Sequence, residues 1–151
     1  MILKIRKETK QAMVEDALNA YPDECCGFFF GEDRSENREI TSILVVNNSK
    51  QGDKRRRFEI APLDYLKAER YADDNNLQLL GVYHSHPDHP AIPSETDRKS
   101  AQPFFSYIII SILGGKLNDL RSWQLGVDED PAKDGRQFEE ESISENLVNN
   151  V

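Results

Sequence analysis

Cysteine is almost absent from this chain of 151 residues: Cys25 and Cys26 are the only two, and they are neighbours. Adjacent cysteines do not make an ordinary structural disulfide, so a disulfide framework is excluded and a reducing compartment is expected. No C-x-x-C pair exists, and both residues read as buried thiols that behave as small hydrophobes. Long apolar runs are missing too. No stretch approaches the roughly 18 apolar residues that span a bilayer, and Met1 to Lys7 has no apolar segment behind its positive charges. The expectation is a cytoplasmic protein with no membrane partner. Positive charge is the minority sign, 19 Lys and Arg against 27 Asp and Glu, for a formal net charge of −8. That balance counts against nucleic acid or an anionic membrane as the main partner. The one basic run, Lys54-Arg55-Arg56-Arg57, has no interleaved aromatics and reads as a solvated loop rather than a nucleic-acid patch. There is no internal repeat and no low-complexity segment.

What the chain does have is the patterning of one domain, placed at residues 1–145, with a frayed tail at 146–151. A strand is expected at Ile2–Ile5. A helix follows over Lys7–Ala20, with Ala12, Met13, Ala17, Leu18 and Ala20 as its apolar stripe and Pro22 beyond its end. Phe28-Phe29-Phe30, bounded by glycines, predicts a buried strand with Glu24 at its entrance. Arg38–Val46 is a β-branched strand and Asn47–Gly52 a loop. Phe58-Glu59-Ile60 predicts a short strand, and Pro62 opens a helix to about Asp74 with Leu63, Leu66, Ala68 and Tyr71 facing inward.

Leu77–Tyr83 is the central strand, and a short helix runs from Ser94 to about Gln102. Phe104–Leu113 is the most apolar run, with Gly114-Gly115 a turn after it. Leu120–Leu125 alternates as a half-buried strand with Trp123 in the core or at its rim. Asp128–Gly135 reads as a polar loop and Phe138–Ile143 as a last edge strand. This order predicts an α/β fold with a mixed, mainly antiparallel sheet flanked by helices. The strands Arg38–Val46 and Phe138–Ile143 are the edges at which a second copy could pair; the oligomeric state stays open.

The chemistry gathers at Gly81-Val82-Tyr83-His84-Ser85-His86-Pro87. On a strand, residues two apart share a face, so His84 and His86 point the same way and Ser85 points away in a structural role. Pro87, Pro90 and Pro93 turn the chain, and Ser94-Glu95-Thr96-Asp97 reads as a helix start in which Ser94 caps and Asp97 answers as in a capping box. Capping would fix the helix end and aim the carboxylate. Two imidazoles and one carboxylate leave a fourth position open on zinc, the pattern of a catalytic rather than a structural site; calcium or magnesium would want more oxygens. The plainer reading of H-x-H is a pair of cleft histidines, and of S-x-x-D a helix cap alone.

The spacing His84-x-His86-Pro87, six further residues, then Ser94-x-x-Asp97 resembles the metalloprotease motif of the JAMM, or MPN-plus, family. The segment Pro22-x-Glu24-x-Cys26-Gly27 is similar to the bacterial version of that family's early glutamate. The resemblance covers nearly the whole chain, to about Ile143. It implies a barrel-like sheet with flanking helices, of cytidine-deaminase-like architecture. It also implies one zinc per chain held by His84, His86 and Asp97, with Glu24 polarising the water that zinc activates and Ser94 a donor to the oxyanion. Glu32 and Glu36 are rivals to Glu24 placed in a polar turn, and His89 in the Pro-rich turn has a substrate or solvent role rather than a ligand's.

JAMM enzymes hydrolyse the amide bond after the glycine-ended tail of ubiquitin or ubiquitin-like proteins. This chain lacks the long insertion after Asp97 found in specialised deubiquitinases and is similar to compact bacterial members. Those are associated with sulfur-carrier proteins, including release of cysteine from a carrier's C-terminus. The implied function is a zinc metallopeptidase or isopeptidase acting on such a carrier, and Lys54–Arg57 beside its cleft could engage an acidic protein. The alternative is a non-catalytic MPN-type module that binds ubiquitin-like proteins.

Overall fold

The expected strands form, and they close on one another. The computed structural model describes residues 1–126 and 137–146, in the order β1 (Ile2–Arg6), α1 (Lys7–Ala20), β2 (Cys26–Arg34), β3 (Asn37–Val46), α2 (Pro62–Asp74), β4 (Gln78–Pro87), α3 (Glu95–Ser100), β5 (Ser106–Leu113), β6 (Lys116–Leu125) and β7 (Phe138–Asn146). The strands make a closed barrel in the order β1-β3-β2-β4-β5-β6-β7. β1 pairs parallel with β3 and β7, β4 pairs parallel with β5, and the other four pairs are antiparallel. The fold is therefore mixed α/β, as the sequence predicts.

Closure corrects one expectation. Neither the Arg38–Val46 segment nor the last strand is an edge: β3 lies between β1 and β2, and β7 seals β6 to β1. Phe58-Glu59-Ile60 is not a strand but irregular backbone ahead of α2. Glu32 lies within β2 rather than in a turn. The loop expected at Asp128–Gly135 and the tail after Asn146 lie outside the described residues.

Two apolar clusters hold the sheet, one on each face. α1 contributes Met13 and Ala17 to the first, which joins Leu3, Ile5, Phe29, Ile40, Tyr83, Ile108 and Ile110. α2 contributes Ala68 and Ala72 to the second, with Phe28, Phe30, Val82 and Tyr107. Fully burying each phenylalanine contributes roughly 1.5–3 kcal/mol, so the Phe28–Phe30 run, shared between both faces, ties the layers together. The predicted apolar stripes are only partly buried. Leu18 of α1 is exposed, and Leu63 and Leu66 of α2 are 60% and 61% exposed, because α2 turns its alanines and tyrosines to the sheet instead.

Among the described residues, no helix is long and apolar enough to cross a membrane.

Candidate active site

The pairing of β2 with β4 shifts register by one residue between Phe29 and Phe30, which lie opposite Gly81 and Leu79. A bulge of this kind resets which side chains share a face. Leu79 packs in the α2 cluster and Leu80 in the α1 cluster, and from Gly81 onward strict alternation puts Val82 on the α2 side and Tyr83 on the α1 side. His84 and His86 continue the Val82 face and so emerge together. Ser85 faces the other way and accepts a hydrogen bond from the Cys25 amide at 2.8 Å, stitching the entrance of β2 to β4. That is the structural role expected of it.

After β4 the chain turns at Asp88, whose φ is +60°. Its carboxylate accepts from the Tyr21 hydroxyl and from the Gly114 amide. Ser111 donates to the carbonyl of His89, and Trp123 Nε1 donates to the carbonyl of Ala91 at 3.1 Å. Thus pinned, the turn presents the Pro90 carbonyl 2.8 Å from His86 Nδ1. With the proton on Nδ1, the lone pair of Nε2 points into the site, the usual way a protein orients an imidazole ligand.

The turn ends at Ser94, which caps α3. Ser94 Oγ accepts from the Asp97 amide at 3.0 Å, and Asp97 Oδ2 accepts from the Ser94 amide at 2.9 Å, a complete capping box. That same Oδ2 is the atom that reaches the histidines. It lies 3.1 Å from His86 Nε2 and 3.3 Å from His84 Nε2, while the two Nε2 atoms are 3.1 Å apart. Three electron-rich atoms thus form a nearly equilateral triangle. Bonds of about 2.0–2.1 Å at tetrahedral angles would set donor atoms about 3.3 Å apart, so the spacing fits a small cation above the triangle.

The charges agree. Burial would raise the Asp97 carboxyl, but the adjoining imidazoles and the Ser94 amide outweigh it and hold Asp97 well below the usual carboxylate range. Burial keeps His84 neutral, its pKa below the ordinary value despite Asp97. For His86 burial is outweighed by Asp97 and the Pro90 carbonyl, and its pKa rises. Among the described residues His84 Nδ1 is buried without a partner, and Phe58 stacks on its ring with centroids 4.4 Å apart.

Glu24 is 5% exposed, and one of its carboxylate oxygens lies within 4.8 Å of a nitrogen of each histidine. Burial pushes its pKa from 4.5 up to about 8. Its main chain is held by Asn48, a residue that reads in the sequence only as part of a loop. Asn48 Nδ2 donates to the carbonyls of Glu24 and Arg57 at 3.1 and 3.0 Å, and its Oδ1 accepts from the Lys50 and Glu59 amides. Every hydrogen-bonding position of the side-chain amide is in use. Glu24 N also donates to the carbonyl of Lys54 at 2.7 Å. The basic run is therefore fastened to the site, and Arg55, Arg56 and Arg57 line the same cleft of about 780 Å³ as Glu24, His84, His86, His89, Ser94 and Asp97.

The structure thus brings together all five residues singled out from the sequence: Glu24, His84, His86, Ser94 and Asp97. His89 lies at the cleft wall, exposed. Cys25 and Cys26 are buried and free, and burial pushes the Cys26 thiol up to about 12, which suits neither a ligand nor a nucleophile. Sequence reading missed Asn48, Phe58, Asp88 and Tyr21. Asn48 reads only as loop and Phe58 only as part of a short strand, and the partners of Asp88 and Tyr21 are distant in sequence.

Residues 6–126 match the family model described as prokaryotic homologs of the JAB domain. The CysO-cysteine peptidase of Mycobacterium tuberculosis is 30% identical over 141 residues, 91% of this chain and 94% of its own. The desampylase of Pyrococcus furiosus is 30% identical over 68% of this chain and 66% of its own. A solution structure from Desulfitobacterium hafniense superposes with a TM-score of 0.77 at 30% identity, covering 97% of this chain and 95% of that one. The family match runs from the end of β1 to just past β6 and takes in both arms of the site, and on that ground the chain belongs to the prokaryotic JAB family, the JAMM kinship that its motif spacing suggests.

Proposed function

We propose that this chain is a zinc-dependent metallopeptidase that hydrolyses the amide bond after the glycine-ended tail of a ubiquitin-like, sulfur-carrier protein, cysteine being one residue it would release. The observation that carries the reading is the triangle of His84 Nε2, His86 Nε2 and Asp97 Oδ2, with edges of 3.1 to 3.3 Å. Two imidazoles and a carboxylate suit zinc, one per chain, better than calcium or magnesium. Three relatives carry names of matching kind: a CysO-cysteine peptidase, a desampylase and a probable TtuB-protein conjugate cleaving protease. The unit proposed to carry the activity is the single domain read from the sequence, residues 1–145.

In this reading His84, His86 and Asp97 hold the ion, which when bound supplies a Lewis acid able to bring the pKa of water near 7. Glu24 takes the proton from the attacking water and returns it to the leaving nitrogen. Its carboxylate, buried within 4.8 Å of a nitrogen of each histidine, is placed for both transfers. Ser94 Oγ serves the cap as acceptor; its own proton stays available to the carbonyl oxygen that gains charge. Phe58, stacked on the His84 ring, shields that face of the imidazole from water.

The test is elemental analysis for zinc beside cleavage of a ubiquitin-fold carrier bearing Gly-Gly-Cys at its C-terminus, with wild type, His84→Ala and Asp97→Ala in parallel. About one zinc per chain in wild type, lost with cleavage in both variants, is the expected result. Zinc without cleavage of the carrier would favour a binding module for ubiquitin-like proteins, and no zinc uptake on reconstitution would overturn the metallopeptidase reading.

A further inference from the structure

The basic segment beside the site is more ordered than a solvated loop needs to be. Lys50 to Glu59 carries five cationic side chains against two acidic ones in a chain of net charge −8. It is fixed at its middle and its end: Glu24 N holds the carbonyl of Lys54, and Asn48 holds the carbonyl of Arg57 and the amide of Glu59. These bonds use main chain only, so the guanidinium groups are left to project. Arg56 has Asp53 at 3.7 Å. Among the described residues Arg55 and Arg57 have no carboxylate partner, and Arg57 Nη1 reaches only the Arg56 carbonyl.

Arg57 is the critical position. It precedes Phe58, the ring stacked on His84, and the Asn48 amide group that holds its carbonyl also holds that of Glu24. Its charge is among those felt by the Glu24 carboxyl. Arg57 is exposed, yet it lines the same cleft as Glu24, His84, His86 and Asp97.

The chemistry of the leaving residue then decides what the cation is for. A free amino acid joined to a carrier tail brings an α-carboxylate two bonds from the scissile nitrogen. A lysine side chain joined through an isopeptide bond brings no charge near it. An α-carboxylate entering the cleft would meet Arg55 and Arg57 on its lining, an opposite charge that an uncharged isopeptide-linked side chain would not use. We propose that Arg57, supported by Arg55, forms a carboxylate subsite that receives the α-carboxylate of the leaving residue, making the site selective for carriers ending in a single free amino acid over isopeptide conjugates. The inference rests on the peptidase reading above for its orientation and goes beyond it in naming which adduct is taken.

Binding and cleavage separate the two readings. The probe is a carrier-tail hexapeptide ending Gly-Gly-Cys, made with a free carboxylate and as the C-terminal amide. Its binding is measured by calorimetry to the zinc-reconstituted Glu24→Gln protein, with and without Arg57→Gln, and its cleavage by the wild type. The free acid is expected to bind roughly 10- to 100-fold tighter than the amide, the worth of a hydrogen bond between charged groups. Arg57→Gln should bring that ratio close to one, Arg57→Lys should restore part of it, and salt should narrow it. Equal binding of acid and amide, a preference that survives Arg57→Gln, or no binding of either peptide would overturn the subsite. Acid-selective binding with neither peptide cleaved by wild type would leave the subsite standing and count against the peptidase reading instead. Arg57 is exposed and the clamp uses only its carbonyl, so the variant folds; its circular dichroism and Tm check this.

Discussion

Trp123 Nε1 donates to the carbonyl of Ala91 at 3.1 Å, and this bond ties a strand remote from the motif to the turn that aims His86. Ala91 is itself 1% exposed, so the turn is anchored by a buried methyl group and a hydrogen bond together. One residue earlier, the Pro90 carbonyl fixes His86. The orientation of the imidazole is therefore set from β6 as well as from β4.

Trp123→Phe keeps an aromatic ring but removes the Nε1 donor together with the five-membered ring that carries it. The expected outcome is a folded protein whose zinc affinity falls by up to about tenfold, the lower end of what outer-shell changes cost. A competition titration against a chromogenic chelator measures it, and unchanged affinity would show that Asp88 and Ser111 hold the turn unaided.

Burial of the Glu24 carboxyl carries a cost in stability. Its folded-state pKa is raised from 4.5 to about 8, so the folded protein prefers it protonated. The cost is absent below about pH 4.5, grows as the pH rises, and levels off above about pH 8; at pH 7 it is about 3 kcal/mol. Glu24→Gln removes it. In metal-free protein at pH 7 the variant should gain roughly 5–10 °C in Tm, with no gain at pH 4, while zinc content is kept and hydrolysis falls by at least 100-fold. Equal melting of the two proteins at both pH values would contradict the burial of the carboxylate.

Gly81 explains why β4 and β5 approach so closely. A Cβ there would fall on the carbonyl oxygen of Ser106 and against the Phe29 ring. Neither the backbone nor a core phenylalanine can yield easily, so Gly81→Ala should destabilise by more than about 3 kcal/mol or abolish folding. Urea titration decides it, and a loss under 1 kcal/mol would mean that the barrel relaxes there.

Most of this architecture is legible in the sequence, and the exceptions share a cause. β4, β5 and α1 are visible because alternation and period follow one surface at a time, and the candidate cluster because two short spacings carry it. Closure of the barrel is not visible. It joins β7 to β1 across the length of the chain, and nothing local in either strand distinguishes an edge from a seam. Arg38 shows the same limit. It sits in a β-branched strand like a surface residue, yet it is buried, donating to Ser106 Oγ and to the carbonyls of Leu80 and Phe104. Leu63 and Leu66 err the other way, apolar at helical spacing but exposed. Asn48 is the site's own example, since its four partners come from three separate places in the chain.

Ser94 caps α3 and is proposed to act on the oxyanion as well, and two substitutions separate the two roles. Its Oγ accepts from the Asp97 amide and so caps α3, while its hydroxyl proton is the one assigned to the oxyanion. Ser94→Ala loses both functions; Ser94→Gly also loses the hydroxyl, but glycine is a tolerable N-cap. Stability should therefore fall by about 1 kcal/mol in the alanine variant and only a few tenths in the glycine variant. If the hydroxyl acts on the transition state, kcat should fall on the order of 100-fold in both with KM little changed. Were capping its whole contribution, the rate loss would follow the stability loss and glycine would recover most of the activity. Steady-state kinetics beside urea titrations of the three proteins distinguish the cases, because only a donor to the reacting oxygen makes the two variants equally slow and unequally stable.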